Sequence, residues 1–94
     1  MVQIMVDMKV KDFGQWKRGF EAGSDLRKNN GSKGSRILQD AGDPNHVVAI
    51  LRWDDAARAK AFFQSPDLMA RQQEAGVVGQ PATTFLDESG TMDA

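Results

Sequence analysis

The chain begins with a regular alternation of apolar and polar positions. Apolar side chains occupy every second position from Val2 to Val10, and most of the residues between them are polar. A period of two is typical of a strand that buries one face. The pattern therefore predicts a first strand with one apolar side.

A later segment, His46 to Trp53, departs from this rule because its middle is apolar on both faces. A half-exposed strand alternates apolar with polar residues, so here each face needs a cover. We assign one face to the helices, because Trp53 leads directly into a helical segment: this face carries Val47, Ala49, Leu51 and Trp53. Val48 and Ile50 then face a partner, and a second copy of the chain is the most economical one.

Three segments show helical patterns. Asp12 is a good N-cap and precedes an aromatic stripe, which predicts one helix over about 12–29: the stripe comprises Phe13, Trp16, Phe20 and Gly23. A second helix follows Asp54 or Asp55, with Ala56, Ala59, Phe62 and Phe63 on one side. A third starts at Ser65-Pro66-Asp67 and ends near Gly76.

The remaining segments complete a single domain. Residues 29–34 read as a loop, 35–40 as a second strand, 41–45 as a turn and 82–87 as the last strand. The order strand, helix, strand, strand, helix, helix, strand predicts an α+β, ferredoxin-like fold over residues 1–88, with a flexible tail at 89–94. Its helices cover one face of a four-stranded antiparallel sheet, so two sheets would pack face to face in a homodimer.

Several separated segments resemble small members of the dimeric α/β barrel superfamily, in its antibiotic-biosynthesis-monooxygenase-like group. They are Asp12 to Phe20, Val47 to Asp55, the Ala-Phe-Phe helix, Ser65 to Leu68 and Gly76 to Pro81. The resemblance implies the same dimeric barrel. It leaves the activity open, since that superfamily includes cofactor-free monooxygenases, haem-degrading enzymes, lactone isomerases and proteins of unassigned activity.

The resemblance also implies residue patterns that can be checked. The haem-degrading branch uses an Asn on the first strand and a Trp and a His after the third. Residues 2–10 contain no Asn and residues 54–76 contain neither Trp nor His, with Phe62 near the place of that Trp. Haem degradation is therefore disfavoured. The monooxygenase branch often presents Asn, Trp, Tyr, His or Arg, and this chain has no Tyr.

The composition limits the kinds of partner and binding site that we expect for this chain. The formal net charge is −1, which argues against nucleic acid as a partner. The chain has no Cys, which removes disulfides and thiolate ligands, and one His without Cys disfavours a metal site. We expect no cofactor, no membrane segment and a cytoplasmic location.

Candidate site residues fall into two groups. Asp7, His46 and Arg52 are candidate catalytic groups, although His46 opposite Asp40 in a hairpin is more simply a surface pair, and Asp7 is more simply solvated or partner-facing. Four aromatic residues are candidate ligand-binding residues of a cavity between helices and sheet, or plain core: Trp16, Phe20, Trp53 and Phe62.

Three functions follow from these observations. The first is a homodimer that binds a small apolar or aromatic molecule. The second is a cofactor-independent monooxygenase, isomerase or cyclase acting on an aromatic or polyketide-like substrate. The third is a structural or regulatory dimer with a filled core. A cavity separates the first two from the third, and an ionisable group at that cavity would favour an enzyme.

Overall fold

A computed structural model describes all 94 residues. Four strands and four helices follow one another along the chain: β1 (Val2–Val10), α1 (Phe13–Ala22), α2 (Ser24–Asn29), β2 (Ser32–Asp40), β3 (Asp43–Trp53), α3 (Ala56–Phe63), α4 (Pro66–Glu74) and β4 (Val77–Leu86). Residues after Asp87 form no helix or strand. The fold class predicted from the sequence is confirmed.

The strands form one antiparallel sheet in the order β2-β3-β1-β4. The central pair is β1 and β3, in a register that sets Val6 opposite Ala49 and Asp7 opposite Val48. Adjacent residues of a strand point to opposite faces. This register therefore places the two apolar sets of β3 on different sides of the sheet.

The helices form a second layer on one face of that sheet. The core between the layers contains thirteen buried residues, all of them apolar, including Ile4, Val47 and Trp53 with no more than 2% of their surface exposed. Val47, Ala49, Leu51 and Trp53 all belong to this core, which confirms that they face the helices. Val48 and Ile50 lie on the uncovered face and remain half-buried by their neighbours.

Side-chain caps begin three of the helices, as the sequence indicated. The carboxylate of Asp12 accepts a hydrogen bond from the backbone N–H of Gln15 at 2.8 Å, and Asp55 accepts from Ala57 and Arg58. Ser65 accepts from Asp67 at 3.2 Å at the start of α4. Each cap satisfies N–H groups that have no partner within the first helical turn.

The single helix expected over 12–29 is wrong, because the structure breaks it at Gly23. The carbonyl of Phe20 accepts both the N–H of Gly23 at 3.2 Å and the guanidinium of Arg27 at 2.7 Å. A Cβ at Gly23 would lie 3.1 Å from that guanidinium, so glycine leaves room for it. The Arg27 side chain thus terminates α1 by taking a carbonyl that a continuous helix would use.

Three strands begin earlier than the sequence indicated. β3 starts at Asp43, inside the segment 41–45 that reads as a turn, because Asp43 already pairs with Asp40 of β2. β2 starts at Ser32, inside the segment that reads as a loop, and its ladder with β3 is irregular between Ser32 and Gly34. β4 starts at Val77 rather than near Pro81, because a bulge at Gly79, with φ +70°, absorbs the extra residues. A glycine and a proline so close together are typical of a loop, but the bulge allows them to lie within a strand.

Candidate functional site

An apolar cavity of about 80 Å³ lies between the helices and the sheet. Eleven of its sixteen lining residues are hydrophobic. The sheet contributes Val6 and Met8 from β1 and Ala49 and Leu51 from β3. The helices supply the opposite wall, so the cavity is built by the packing of the two layers.

Three of the four predicted ligand-binding aromatic residues line this cavity. Trp16 and Phe20 come from successive turns of α1 and stack with ring centroids 5.0 Å apart, and Phe62 comes from α3. These rings give the cavity flat apolar walls of the kind that hold an aromatic ligand.

Trp53, the fourth predicted residue, does not line the cavity. Its ring lies beyond Phe62, with the two centroids 5.0 Å apart, and it is fully buried. Its indole N–H donates to the carbonyl of Asn30 at 2.8 Å. Trp53 therefore anchors the connection between α2 and β2 to the core.

A wider cleft of about 720 Å³ adjoins the cavity on the helical side. The cavity and the cleft share four lining residues: Leu26, Phe62, Leu68 and Arg71. These side chains form the boundary between the two spaces. A molecule larger than the cavity can thus extend into the cleft past a boundary made chiefly of apolar side chains.

The cavity has three polar side chains in its lining, Arg27, Arg71 and Gln72. The guanidinium of Arg27 lies 3.6 Å above the centre of the Phe20 ring, and burial lowers the pKa of Arg27 from its usual value. The sequence interpretation missed Arg27. Its spacing was the available signal, because Arg27 follows Trp16, Phe20 and Gly23 at helical intervals and so continues the aromatic stripe.

The predicted catalytic candidates lie away from the cavity, on the uncovered face of the sheet. His46 stands between two carboxylates: its Nδ1 lies 2.9 Å from Asp40 and its Nε2 lies 2.8 Å from Asp7. Ionised carboxylates only accept hydrogen bonds, so both contacts form together only when both ring nitrogens carry protons. The hydrogen bond to Asp40, and after it the one to Asp7, raises the pKa of His46.

The same network acts on Asp40. A hydrogen bond from the backbone N–H of Gly42, followed by the one from His46, lowers the pKa of Asp40. This arrangement confirms the cross-strand pairing of His46 with Asp40 and adds Asp7 as a second partner. In its protonated form, which these contacts favour, His46 belongs to a structural ion network and has no free nitrogen with which to accept a proton.

Arg52 lies on the same uncovered face, near its edge. Its guanidinium donates to the carbonyl of Lys33 at 2.9 Å. Arg52 does not line the cavity and makes no hydrogen bond to His46 or Asp7, so the structure does not bring the three catalytic candidates into one site. No group of three or more acidic and histidine side chains is arranged to hold a metal ion.

Comparisons with known proteins were informative only at the level of structure. No protein-family model matches the chain, and no curated protein matches it by sequence. Solved structures do match. A proposed antibiotic biosynthesis monooxygenase from Bordetella bronchiseptica has a TM-score of 0.79 and 14% sequence identity, covering 93% of this chain and 95% of that chain.

Two further structures show the range of proteins with this fold. SnoaB, a cofactor-independent oxygenase from Streptomyces nogalater, has a TM-score of 0.78 and 13% identity, covering 99% of this chain and 97% of that chain. A conserved protein from Methanosarcina mazei Go1 has a TM-score of 0.63 and 8% identity, covering 94% and 92%. At such identities, the likeness shows the fold alone.

The helices give one more finding about the chain. None of them is long and apolar enough to cross a membrane.

The chain has the α+β fold of antibiotic biosynthesis monooxygenase-like proteins, as the sequence resemblance implied.

Proposed function

We propose that this protein is a homodimer that binds a small aromatic or apolar molecule in the cavity between its helices and its sheet. The observation that carries the proposal is the cavity itself, which has rings of Trp16, Phe20 and Phe62 around an apolar floor. A chain that served only as a structural dimer would be expected to fill this space.

The size of the cavity indicates how the ligand lies. An engineered cavity of about 150 Å³ holds benzene, whereas the present cavity measures about 80 Å³. A single ring therefore displaces boundary side chains such as Leu26 and Leu68, and the rest of the ligand extends into the cleft. Both side chains are only half-buried, which makes such movement inexpensive.

The uncovered face of the sheet supports the homodimer. Its apolar centre comprises Met5, Val48, Ile50 and Leu38, and 43% of the Leu38 surface is exposed. Four strands at about 4.8 Å spacing and nine residues at about 3.3 Å each give a face of roughly 600 Å² in projection. A stable interface buries about 800 Å² per partner, so this face is of the right order.

Charge on that face supports the same partner. His46 lies between Asp7 and Asp40, and Lys9 pairs with Asp43 at 3.0 Å. These groups are already paired within one chain, which lowers the cost of covering them. The apolar centre can then pack against the same centre of a second copy related by a twofold axis.

The structural likeness to a cofactor-independent oxygenase supports an enzyme as the second candidate. The cavity favours binding instead, because its lining contains no Asp, Glu or His that could accept a proton. Its ionisable groups are two arginines, which stay protonated near neutral pH. An enzyme built on this cavity would depend on a substrate that ionises without a protein base.

Calorimetric titration with 2-naphthol tests the binding proposal. Ala49 is buried in the cavity floor, and Ala49→Leu adds three carbon atoms there, so we expect at least tenfold weaker binding. Ala57→Leu is the matched control, because Ala57 is exposed on α3 and lies outside the cavity. Equal affinity of both variants, or no saturable binding to the parent protein, would contradict the proposal.

A further inference from the structure

We propose that the ligand of this cavity is an aromatic anion, and that the guanidinium groups of Arg27 and Arg71 bind its charged group. This inference rests on the proposed binding function and specifies its substrate class. The first observation is that the charges in the cavity lining are all positive. Two of the sixteen lining residues are arginines, and none is acidic. The whole chain, by contrast, has a net charge of −1.

Neither arginine has an anionic partner within the protein. No carboxylate oxygen lies within 4.0 Å of either guanidinium, whereas Lys9 and Arg58 each have one such oxygen and His46 has two. Arg27 is half-buried beside the apolar cavity and gives up part of its hydration, and an unpaired charge that is partly buried is costly, whereas Arg71 is exposed. An anion in the cavity would offset that cost.

The geometry of Arg27 leaves its donors available. One N–H of its guanidinium donates to the carbonyl of Phe20 at 2.7 Å, and no other protein group accepts from this side chain. A guanidinium has five N–H donors in a planar fork. With its face on the Phe20 ring, 3.6 Å from the centroid, the remaining edge can bind a carboxylate through two parallel hydrogen bonds.

Arg71 lies at the boundary between the cavity and the cleft, and it lines both. Arg71 lies on α4 and Arg27 lies on α2, and both line the cavity. Both therefore belong to the helical wall, while the aromatic rings of Trp16 and Phe62 lie deeper, against the sheet, and are almost completely buried. A flat ring held by these two residues would direct its charged substituent toward the opening.

Two probes of matched shape test the proposal, 2-naphthoate and the neutral 2-naphthamide, titrated by calorimetry at neutral pH. We expect the anion to bind at least about tenfold more tightly, since hydrogen bonds to charged groups are the stronger class. Added salt should weaken binding of the anion and leave that of the amide nearly unchanged.

Variants assign the effect to the arginines. Arg27→Met keeps an unbranched stem over Phe20 and removes the charge, so it should abolish most of the preference for the anion, and Arg71→Met should reduce it. Arg27→Lys retains a cation and should restore part of the preference. Arg18→Met is the control, because Arg18 is exposed on α1 and does not line the cavity.

The outcomes separate this inference from the proposed function. Equal affinity for the two probes, or a preference that survives Arg27→Met and Arg71→Met, overturns the anion site. Failure of both probes in a protein that binds 2-naphthol also overturns it, and leaves the binding proposal standing. Failure of all three compounds overturns both.

Discussion

Replacing Val48 by aspartate tests the proposed dimer interface most severely. Val48 lies at the centre of the uncovered face, opposite Asp7 on β1 and Leu38 on β2. A carboxylate there has another carboxylate as its cross-strand neighbour, whereas aspartate at Ile50 would lie directly opposite Arg36 and could pair with it. Val48 is thus the better position for introducing a charge that has no partner directly opposite it on either neighbouring strand.

The expected magnitude follows from the two effects of this substitution. Losing the buried Val side chain costs about 1.5 kcal/mol, and burying an unpaired carboxylate costs several kcal/mol more. Taking about 3 kcal/mol as a lower value for one copy, a twofold dimer contains two copies and loses about 6 kcal/mol. Dimerisation should therefore weaken by about 10⁴-fold.

Sedimentation velocity over a range of micromolar concentrations measures this change. We expect a dimer for the parent protein and a monomer for Val48→Asp, with unchanged far-UV circular dichroism because Val48 lies outside the core. Met69→Asp is the control, since Met69 is 50% exposed on α4, on the helical side of the molecule. A dimeric Val48→Asp variant, or a monomeric parent protein, would refute the reasoning.

Two further predictions concern stability. His46 has a raised pKa in the folded protein, so its contribution to stability is complete below its unfolded pKa of about 6.5 and is lost as the pH rises through the folded value. The urea concentration at the midpoint of unfolding, measured from pH 6 to pH 9, should therefore fall for the parent protein and change less for His46→Gln. An equal change with pH in the two proteins would argue against the ion network. Trp53→Phe removes the hydrogen bond to the Asn30 carbonyl and leaves a small void, and should lower the free energy of unfolding by about 2 to 3 kcal/mol in urea titrations. A loss below about 0.5 kcal/mol would show that the indole N–H contributes little.

The sequence predicted much of this fold because the relevant signals are local. Two patterns determine which side chains meet the helices: the alternation from Val2 to Val10 and the two apolar faces around Ala49. Both patterns predicted the buried side chains correctly. Caps are equally local, since Asp12 and Asp55 bond to N–H groups two or three residues away. These features depend only on neighbours along the chain.

The features that were missed depend on contacts across the structure. α1 ends at Gly23 because Arg27 folds back onto the Phe20 carbonyl, and β4 begins at Val77 because a bulge at Gly79 maintains its pairing with β1. Neither event has a periodic signature. The sequence also could not distinguish Trp53 from Phe62 as a cavity residue. Both carry an aromatic ring, and only the packing decides that Phe62 borders the cavity and Trp53 lies behind it.

The candidate site was only partly predictable for the same reason. Aromatic spacing indicated Trp16, Phe20 and Phe62, and the same spacing extends to Arg27. Only the packing shows that this arginine lines the cavity without an anionic partner. Asp7 and His46 are 39 positions apart, and only the register of β1 with β3 brings them within 2.8 Å. That contact, together with the one to Asp40, favours the protonated form of a candidate base.

The two indole N–H resonances of this protein provide the most direct test of the binding cavity. Trp16 lines the cavity, whereas the indole of Trp53 is buried behind Phe62 and bonded to Asn30. In a ¹H–¹⁵N titration with 2-naphthol, we predict a saturable shift of the Trp16 indole signal, a much smaller one for Trp53, and none for backbone amides around His46. Shifts concentrated on the sheet face around His46, or no saturable change at Trp16, would contradict the central claim that the ligand binds between the helices and the sheet.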